Sequence, residues 1–165
     1  MAINLYEYVY RNIDFPKPGI IFRDIQPLLA NRKAFKKACT ELYSLAPVIP
    51  DYWVGIEARG FIFAAAISAL YGGGFKMIRK QGKLPDNNLK TIEYDYEYNS
   101  GVLQMQAGEG EIILVDDVIA TGGTMKAANE LANSAGYDVI EQVALIDVGI
   151  TEHDIKTIMQ YENKT

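Results

Sequence analysis

The sequence predicts an α/β domain: a doubly wound, mainly parallel sheet flanked by helices, with a β-hairpin hood. Three observations predict it. First, Ile112–Val115 is a run of four branched apolar residues, which reads as a strand buried on both faces, and Tyr52–Ile56, Phe75–Ile78 and Asp138–Asp147 read as further strands, the first of them also buried. Second, stretches with helical spacing lie between them, and strands alternating with helices make parallel sheets. Third, Thr91–Tyr98 alternates strictly, with Ile92, Tyr94, Tyr96 and Tyr98 on one face and Glu93, Asp95 and Glu97 on the other. The turn Asn99-Ser100-Gly101 follows, and Val102–Gln106 continues extended, so an antiparallel hairpin is inserted among the parallel strands. Residues 1–165 are read as a single domain, with the hood at about residues 80–108.

Composition narrows the function. A chain of 165 residues can bury a real core, and 49% hydrophobic with 22% charged residues is ordinary for a globular protein. The net charge of −5 argues against general nucleic-acid binding. Cys39 is the only cysteine and cannot form an internal disulfide, which fits a reducing, cytoplasmic setting. It lies in a helix-like run and reads as packing. His153 is the only histidine, has no second ligand nearby, and is given no metal role. No charged-then-apolar leader pattern opens the chain, and no apolar run reaches spanning length.

In chain order, residues 3–10 suggest a short helix. Residues 11–27 carry Pro16, Pro18, Gly19 and Pro27 and read as loop. That loop is unusually apolar (Phe15, Ile20, Ile21, Phe22), so it either straps the core or receives a ligand. Asn31 can cap a helix running to about Ala46, with Phe35, Ala38, Cys39, Leu42 and Leu45 as its stripe. After the strand Tyr52–Ile56 comes Glu57-Ala58-Arg59-Gly60, then the almost wholly apolar Phe61–Leu70, read as a buried helix. Arg59 therefore sits at a loop mouth, where it meets an anion or pairs with Glu57. Basic residues gather after the third strand: Lys76, Arg79, Lys80, Lys83 and Lys90 against Asp86. In an acidic chain this is either a solvated face or a site for several phosphate charges. The hairpin has one apolar face and no obvious core partner, which makes it a candidate lid.

Ile112–Val115 leads into Asp116-Asp117-Val118-Ile119-Ala120 and Thr121-Gly122-Gly123-Thr124; Met125, Ala128, Leu131, Ala132 and Ala135 then recur at helical spacing. A strand, an acidic pair, a glycine loop and a helix start suit a phosphate. Free N–H groups and the helix dipole favour an anion, and Thr121 and Thr124 add hydroxyl donors. The loop lacks both the P-loop lysine and GxGxxG spacing. Two carboxylates beside an anion make sense when the ligand also carries hydroxyls or a divalent cation, as a sugar phosphate with Mg²⁺ does. The last strong strand is Asp138–Asp147.

Val115–Thr124 resembles the phosphoribosyl-pyrophosphate (PRPP) motif of the type I phosphoribosyltransferases. The segments Phe15–Ile25, Glu57–Phe61, Ile78–Lys80 and Gly82–Pro85 are similar, more narrowly, to the adenine phosphoribosyltransferase family, and they run in that family's order. The resemblance implies transfer of a phosphoribosyl group from PRPP to adenine, giving AMP and pyrophosphate. A guanine, xanthine or hypoxanthine enzyme, or a regulator that binds PRPP without turnover, is the alternative. It implies that Asp116, Asp117, Ala120, Thr121, Gly122, Gly123 and Thr124 bind PRPP, with Asp116 and Asp117 also toward Mg²⁺, directly or through water. Arg59, Arg79, Lys80 and Lys83 take the pyrophosphate. Ile21, Phe22, Arg23, Asp147 and Val148 border adenine. Glu97 before Tyr98 matches the family's proton-transferring glutamate, with Glu93 as the fallback, and Arg59 joins it in catalysis. It further implies a homodimer, and a non-proline cis peptide between Ala58 and Arg59. The segment from Thr151 is shorter than the family's usual one, which leaves the far wall of the base pocket to be found.

Overall fold

The computed structural model describes residues 2–96 and 99–161. A short 3-10 helix (Leu5–Tyr8) leads into β1 (Tyr10–Ile13) and β2 (Ile21–Asp24), then α1 (Gln26–Ala30) and α2 (Arg32–Ser44). The rest runs β3 (Tyr52–Ile56), α3 (Gly60–Tyr71), β4 (Gly74–Lys80), β5 (Leu89–Tyr96), β6 (Asn99–Gln106), β7 (Gly110–Ile119), α4 (Gly123–Ser134), β8 (Tyr137–Asp147) and β9 (Lys156–Gln160). Among the described residues the main sheet has seven strands in the order β5-β6-β4-β3-β7-β8-β9. Strands β4, β3, β7, β8 and β9 are mutually parallel, and β6 pairs antiparallel with both β4 and β5. This is the mainly parallel, helix-flanked sheet that the sequence predicts.

Helices α2 and α3 cover one face of the sheet, over Trp53, Ile113, Val115 and Val143. Helix α4 covers the other face, with Met125, Ala128, Leu131 and Ala132 against Val54, Ile112 and Leu114. The β3–α3–β4 connection runs toward one edge of the sheet and β7–α4–β8 toward the other. The strand order therefore reverses between β3 and β7, and that crevice is where open α/β sheets bind ligands. Asn31 caps α2 as expected: its Oδ1 accepts from Lys33 N–H at 3.1 Å and Ala34 N–H at 3.0 Å. Cys39 is buried in that helix, and burial pushes its thiol up to about 11, which suits a packing role.

Five expectations need correction. Residues 11–27 are not all loop, because β1 and β2 pair from Tyr10↔Asp24 to Ile13↔Ile21. Pro16 and Pro18 occupy only the connection and Pro27 lies in the first turn of α1, so the ladder is left intact. Helix α3 is not buried all round: Phe63, Ala64 and Ile67 are enclosed, while Leu70 is 53% exposed. The hairpin does have a core partner. Its alternation holds as far as Asp95, and Ile92, Tyr94, Leu103 and Met105 pack on α4. Strand β7 does not end at Val115 but carries Asp116 and Asp117 within it and runs to Ile119, and beyond Thr151 the chain adds a further strand, β9, beside β8.

The hairpin's packing is open to test. Leu103 is 1% exposed, so Leu103→Ala should cost about 2–5 kcal/mol in a denaturant titration. A loss below about 0.5 kcal/mol, the range of exposed sites, would mean that the hairpin stands free of the core.

Candidate active site

The ends of β3 and β7 meet at the reversal point, and the sequence lets them approach closely. A Cβ on Gly60 would lie 2.6 Å from the Val115 carbonyl oxygen and 3.2 Å from Asp116 Oδ1, so only glycine fits at the start of α3. Asp116 Oδ1 accepts the N–H of Asp117 at 2.8 Å. Burial, and then the charge of Asp117, push the Asp116 carboxyl well above the usual aspartate range. Asp117 is 6% exposed and faces Arg59, whose Nε lies 2.6 Å from its Oδ2. The N–H does not point along that contact, so Asp117 Oδ2 keeps an acceptor site that no hydrogen bond fills.

Arg59 also donates from Nη1 to the Arg23 carbonyl at 3.1 Å and lies 4.8 Å above the Phe22 ring. It thus ties the β2 segment to the acidic pair. The alternative pairing with Glu57 is not formed. Glu57 Oε2 accepts instead from Arg79 Nε at 3.3 Å and from the Lys80 N–H at 2.8 Å. Burial works against the Glu57 charge, but these two donors outweigh it and hold the carboxyl below its usual range.

Two cavities adjoin here. One, of about 180 Å³, is lined by Asp116, Thr121, Gly122, Gly123 and Thr124 at the start of α4. The Gly122 φ of +81° turns the chain into that helix. The other, of about 480 Å³, is lined by Ile21, Phe22, Arg23, Arg59, Val148 and Ile150, among others. Val118, Ala120 and Thr121 line both. A small cavity at a helix start thus shares a wall with a larger, half-apolar one. Over the smaller cavity lies the hairpin: the Asp95 carbonyl oxygen is 3.3 Å from where a Gly123 Cβ would stand.

Comparison with known proteins agrees with this geometry. The model of the phosphoribosyl transferase domain family matches residues 25–163. An adenine phosphoribosyltransferase from Hydrogenovibrio crunogenus is 41% identical, over 96% of this chain and 97% of its own. The chain belongs to the adenine phosphoribosyltransferase family. Another member, from Bdellovibrio bacteriovorus, is 47% identical over 81% of this chain and 80% of its own. The crystal structure of the Thermoanaerobacter pseudethanolicus enzyme superposes with a TM-score of 0.86 at 33% identity, over 96% of this chain and all of the other. The Giardia lamblia enzyme, complexed with 9-deazaadenine, superposes with the same TM-score at 28% identity, over 96% and 97%.

Set beside the family's motifs, the sequence-derived site residues divide. Asp116, Ala120, Thr121, Gly122, Gly123 and Thr124 share the smaller cavity. Ile21, Phe22, Arg23, Arg59 and Val148 share the larger one. Asp147 does not line it: its Oδ1 accepts the Gly149 N–H at 2.7 Å and lies 3.5 Å from His153 Nε2. Arg79, Lys80 and Lys83 line neither cavity. Arg79 is held by Glu57 and by the Lys83 carbonyl at 3.2 Å, while Lys80 and Lys83 are exposed. Glu97 and Tyr98 lie outside the described residues; Glu93 is exposed and paired with Val102. The non-proline cis peptide precedes Ala58 rather than following it. Arg59 already has helical angles as the cap of α3, so the chain turns one peptide earlier.

Sequence reasoning missed Ile150 and Tyr161. Ile150 closes the far wall of the larger cavity, and the Tyr161 ring carries the Arg23 guanidinium at 3.9 Å. Both follow Asp147 in chain positions that no periodicity marks.

The Asp116 environment sets a sign for stability against pH. A carboxyl raised by folding contributes fully below its unfolded pKa, and that contribution is lost as pH rises through the folded value. Asp116→Asn keeps an acceptor for the Asp117 N–H and removes the loss. The unliganded variant should therefore gain on wild type, in denaturant midpoint, as pH is raised from 4 to 8. A gap that stays flat or reverses would contradict the raised carboxyl.

Proposed function

We infer that this protein transfers the phosphoribosyl group of PRPP to adenine, releasing pyrophosphate and forming AMP. The observation that carries the reading is the shared wall of Val118, Ala120 and Thr121 between an anion-sized and a base-sized cavity. A nucleoside monophosphate needs that arrangement: phosphate on the loop, base in the larger cavity, ribose across the wall.

In this reading the backbone of residues 120–124 and the start of α4 hold the 5′-phosphate. Asp116 and Asp117 accept the ribose hydroxyls. Phe22 and Val148 flank the purine, with Ile21 and Arg23 at its edge. Asp147 supports that edge through the Gly149 turn rather than by touching the base. Arg59 is aimed at the pyrophosphate, and Lys80, Lys83 and Arg79 supply further charge once the Arg79–Glu57 pair opens. Breaking the ribosyl C1–O bond builds cationic character on the sugar and negative charge on the leaving group. Fixed charge on this chain stabilises both.

Two carboxylates, one with an unfilled acceptor, suit Mg²⁺, which takes one or two carboxylates plus substrate phosphates. Among the described residues no third His, Cys, Asp or Glu joins them to cage an ion unaided. Bound with PRPP at Asp116 and Asp117, Mg²⁺ would supply charge neutralisation for the departing pyrophosphate. Glu97 takes the purine proton; its assignment rests on the Glu97-Tyr98 match to the family motif. Hood closure excludes water that would otherwise hydrolyse PRPP. The protein acts as a cytoplasmic homodimer. The exposed Tyr10, Ile13, Phe15 and Ile62 around the β1–β2 hairpin support a self-association face, and no described helix is long and apolar enough to cross a membrane.

Pyrophosphate release from PRPP should require adenine and fail with guanine, xanthine and hypoxanthine. Turnover with one of these purines in place of adenine would reassign the base, and binding of PRPP without any turnover would favour a regulator. Glu97→Gln should lower kcat about 10²–10⁴-fold with a smaller change in KM. Unchanged kcat would remove Glu97 from proton transfer.

A further inference from the structure

The segment between β8 and β9 touches both cavities at once. Val148 and Ile150 line the larger cavity. Next in the chain, Thr151 donates from its hydroxyl to the Thr121 carbonyl at 2.8 Å. Ile155 then places its Cδ1 3.9 Å from where a Gly122 Cβ would stand, and it packs in the α4 cluster with Met125. Three consecutive contacts from one short segment thus reach the base wall, the phosphate-loop peptide and the loop glycine.

The Thr151 bond falls on a consequential atom. In a trans peptide the carbonyl and the following N–H point in opposite directions, and the 121–122 peptide is not among the cis bonds. Holding the Thr121 oxygen toward Thr151 therefore turns the Gly122 N–H the other way. Glycine at 122 would let that peptide rotate with little steric opposition, so an outside anchor is what fixes it. Thr151 is exposed and belongs to no helix or strand, so no core packing explains the contact.

We propose that Thr151 is a positioning residue: it fixes the 121–122 peptide so that the phosphate loop is preset for the sugar 5′-phosphate, and it couples that loop to the base cavity through Ile150. The inference rests on the transferase reading above. Adenine pressing on Ile150 steadies Thr151 and hence the loop, so adenine and a sugar phosphate should each tighten binding of the other by the same factor.

Calorimetry with ribose 5-phosphate, alone and with saturating adenine, tests this without turnover. In wild type, adenine should tighten ribose 5-phosphate binding. Thr151→Val removes the hydroxyl at nearly constant shape. It should weaken ribose 5-phosphate about fivefold (about 1 kcal/mol) and erase the adenine effect, while adenine alone binds as before. Thr151→Ser should restore both. In steady-state assays Thr151→Val should raise KM for PRPP and leave kcat nearly unchanged. Equal ribose 5-phosphate affinity in Thr151→Val and wild type would overturn the proposal. So would an equal loss in Thr151→Ser, or an adenine effect that survives in Thr151→Val. Thr151→Ala serves as a second hydroxyl deletion should the valine variant be unstable. A wild type that binds ribose 5-phosphate as described but makes no AMP would sink the transferase reading and leave Thr151's role to the calorimetry.

Discussion

The contact between Arg59 and Asp117 is the constraint on which the rest of the mouth depends. It joins segments far apart in sequence: the start of α3, the end of β7 and, through the Arg23 carbonyl, the β2 strand. Each segment alone has a reason to be elsewhere. Asp117 is almost buried and would pay heavily for an unpaired charge, while Arg59 keeps a third of its side chain in solvent. The pair's net worth to stability is accordingly modest, since solvent screens the cation. Its larger effect is geometric. With Arg59 pinned, Phe22 and Arg23 cannot drift from the crevice, and the larger cavity has a fixed inner wall.

That geometry follows from the way the sheet is wound. Because α3 and α4 lie on opposite faces, the loops after β3 and β7 diverge and leave a crevice between them. Gly60 lets the two strand ends close to backbone contact below it. The same winding explains the hairpin. Helix α4 would have one flank of its apolar stripe uncovered if the sheet ended at β4. Strands β6 and β5 extend the sheet far enough to cover it, and in doing so bring the Asp95 carbonyl over Gly123. The hairpin is therefore anchored by core packing through Ile92, Tyr94, Leu103 and Met105.

How much was legible follows from what each residue must bury. Strand β3 was legible to the residue, and the enclosed parts of β7 and β8 are marked by the apolar runs Ile112–Val115 and Val143–Ile146, whereas the acidic pair and the half-exposed start of β8 hid how far those strands extend. Strand β9 presents mixed polarity because it is an edge strand, and nothing in Lys156–Gln160 announces it. Strands β1 and β2 pair outside the core, where the prolines and Gly19 dominated the local signal. The acidic pair and the glycine loop were legible because their chemistry is local. The partners of Arg79 and Asp147 were not. Whether Glu57, Gly149 or a ligand takes such a group is decided by chain segments that meet only after folding.

Charge at the mouth is balanced before any ligand arrives. Arg59 pairs its charge with Asp117 and Arg79 with Glu57, while Asp116 stays costly to ionise. In the proposed function an incoming pyrophosphate draws Arg59 from Asp117, and a chain of net charge −5 gives it no long-range attraction beyond the Debye length. A bare phosphate that succeeded would leave a buried carboxylate unpaired, a poor exchange. A free purine would gain apolar contact but leave the anion site empty. A ligand carrying phosphates, hydroxyls and a divalent cation together can take Arg59 and still satisfy both aspartates. On the proposed function, selectivity for the whole of PRPP over its fragments follows from a site whose charges already have partners and yield them only to a ligand that replaces every one.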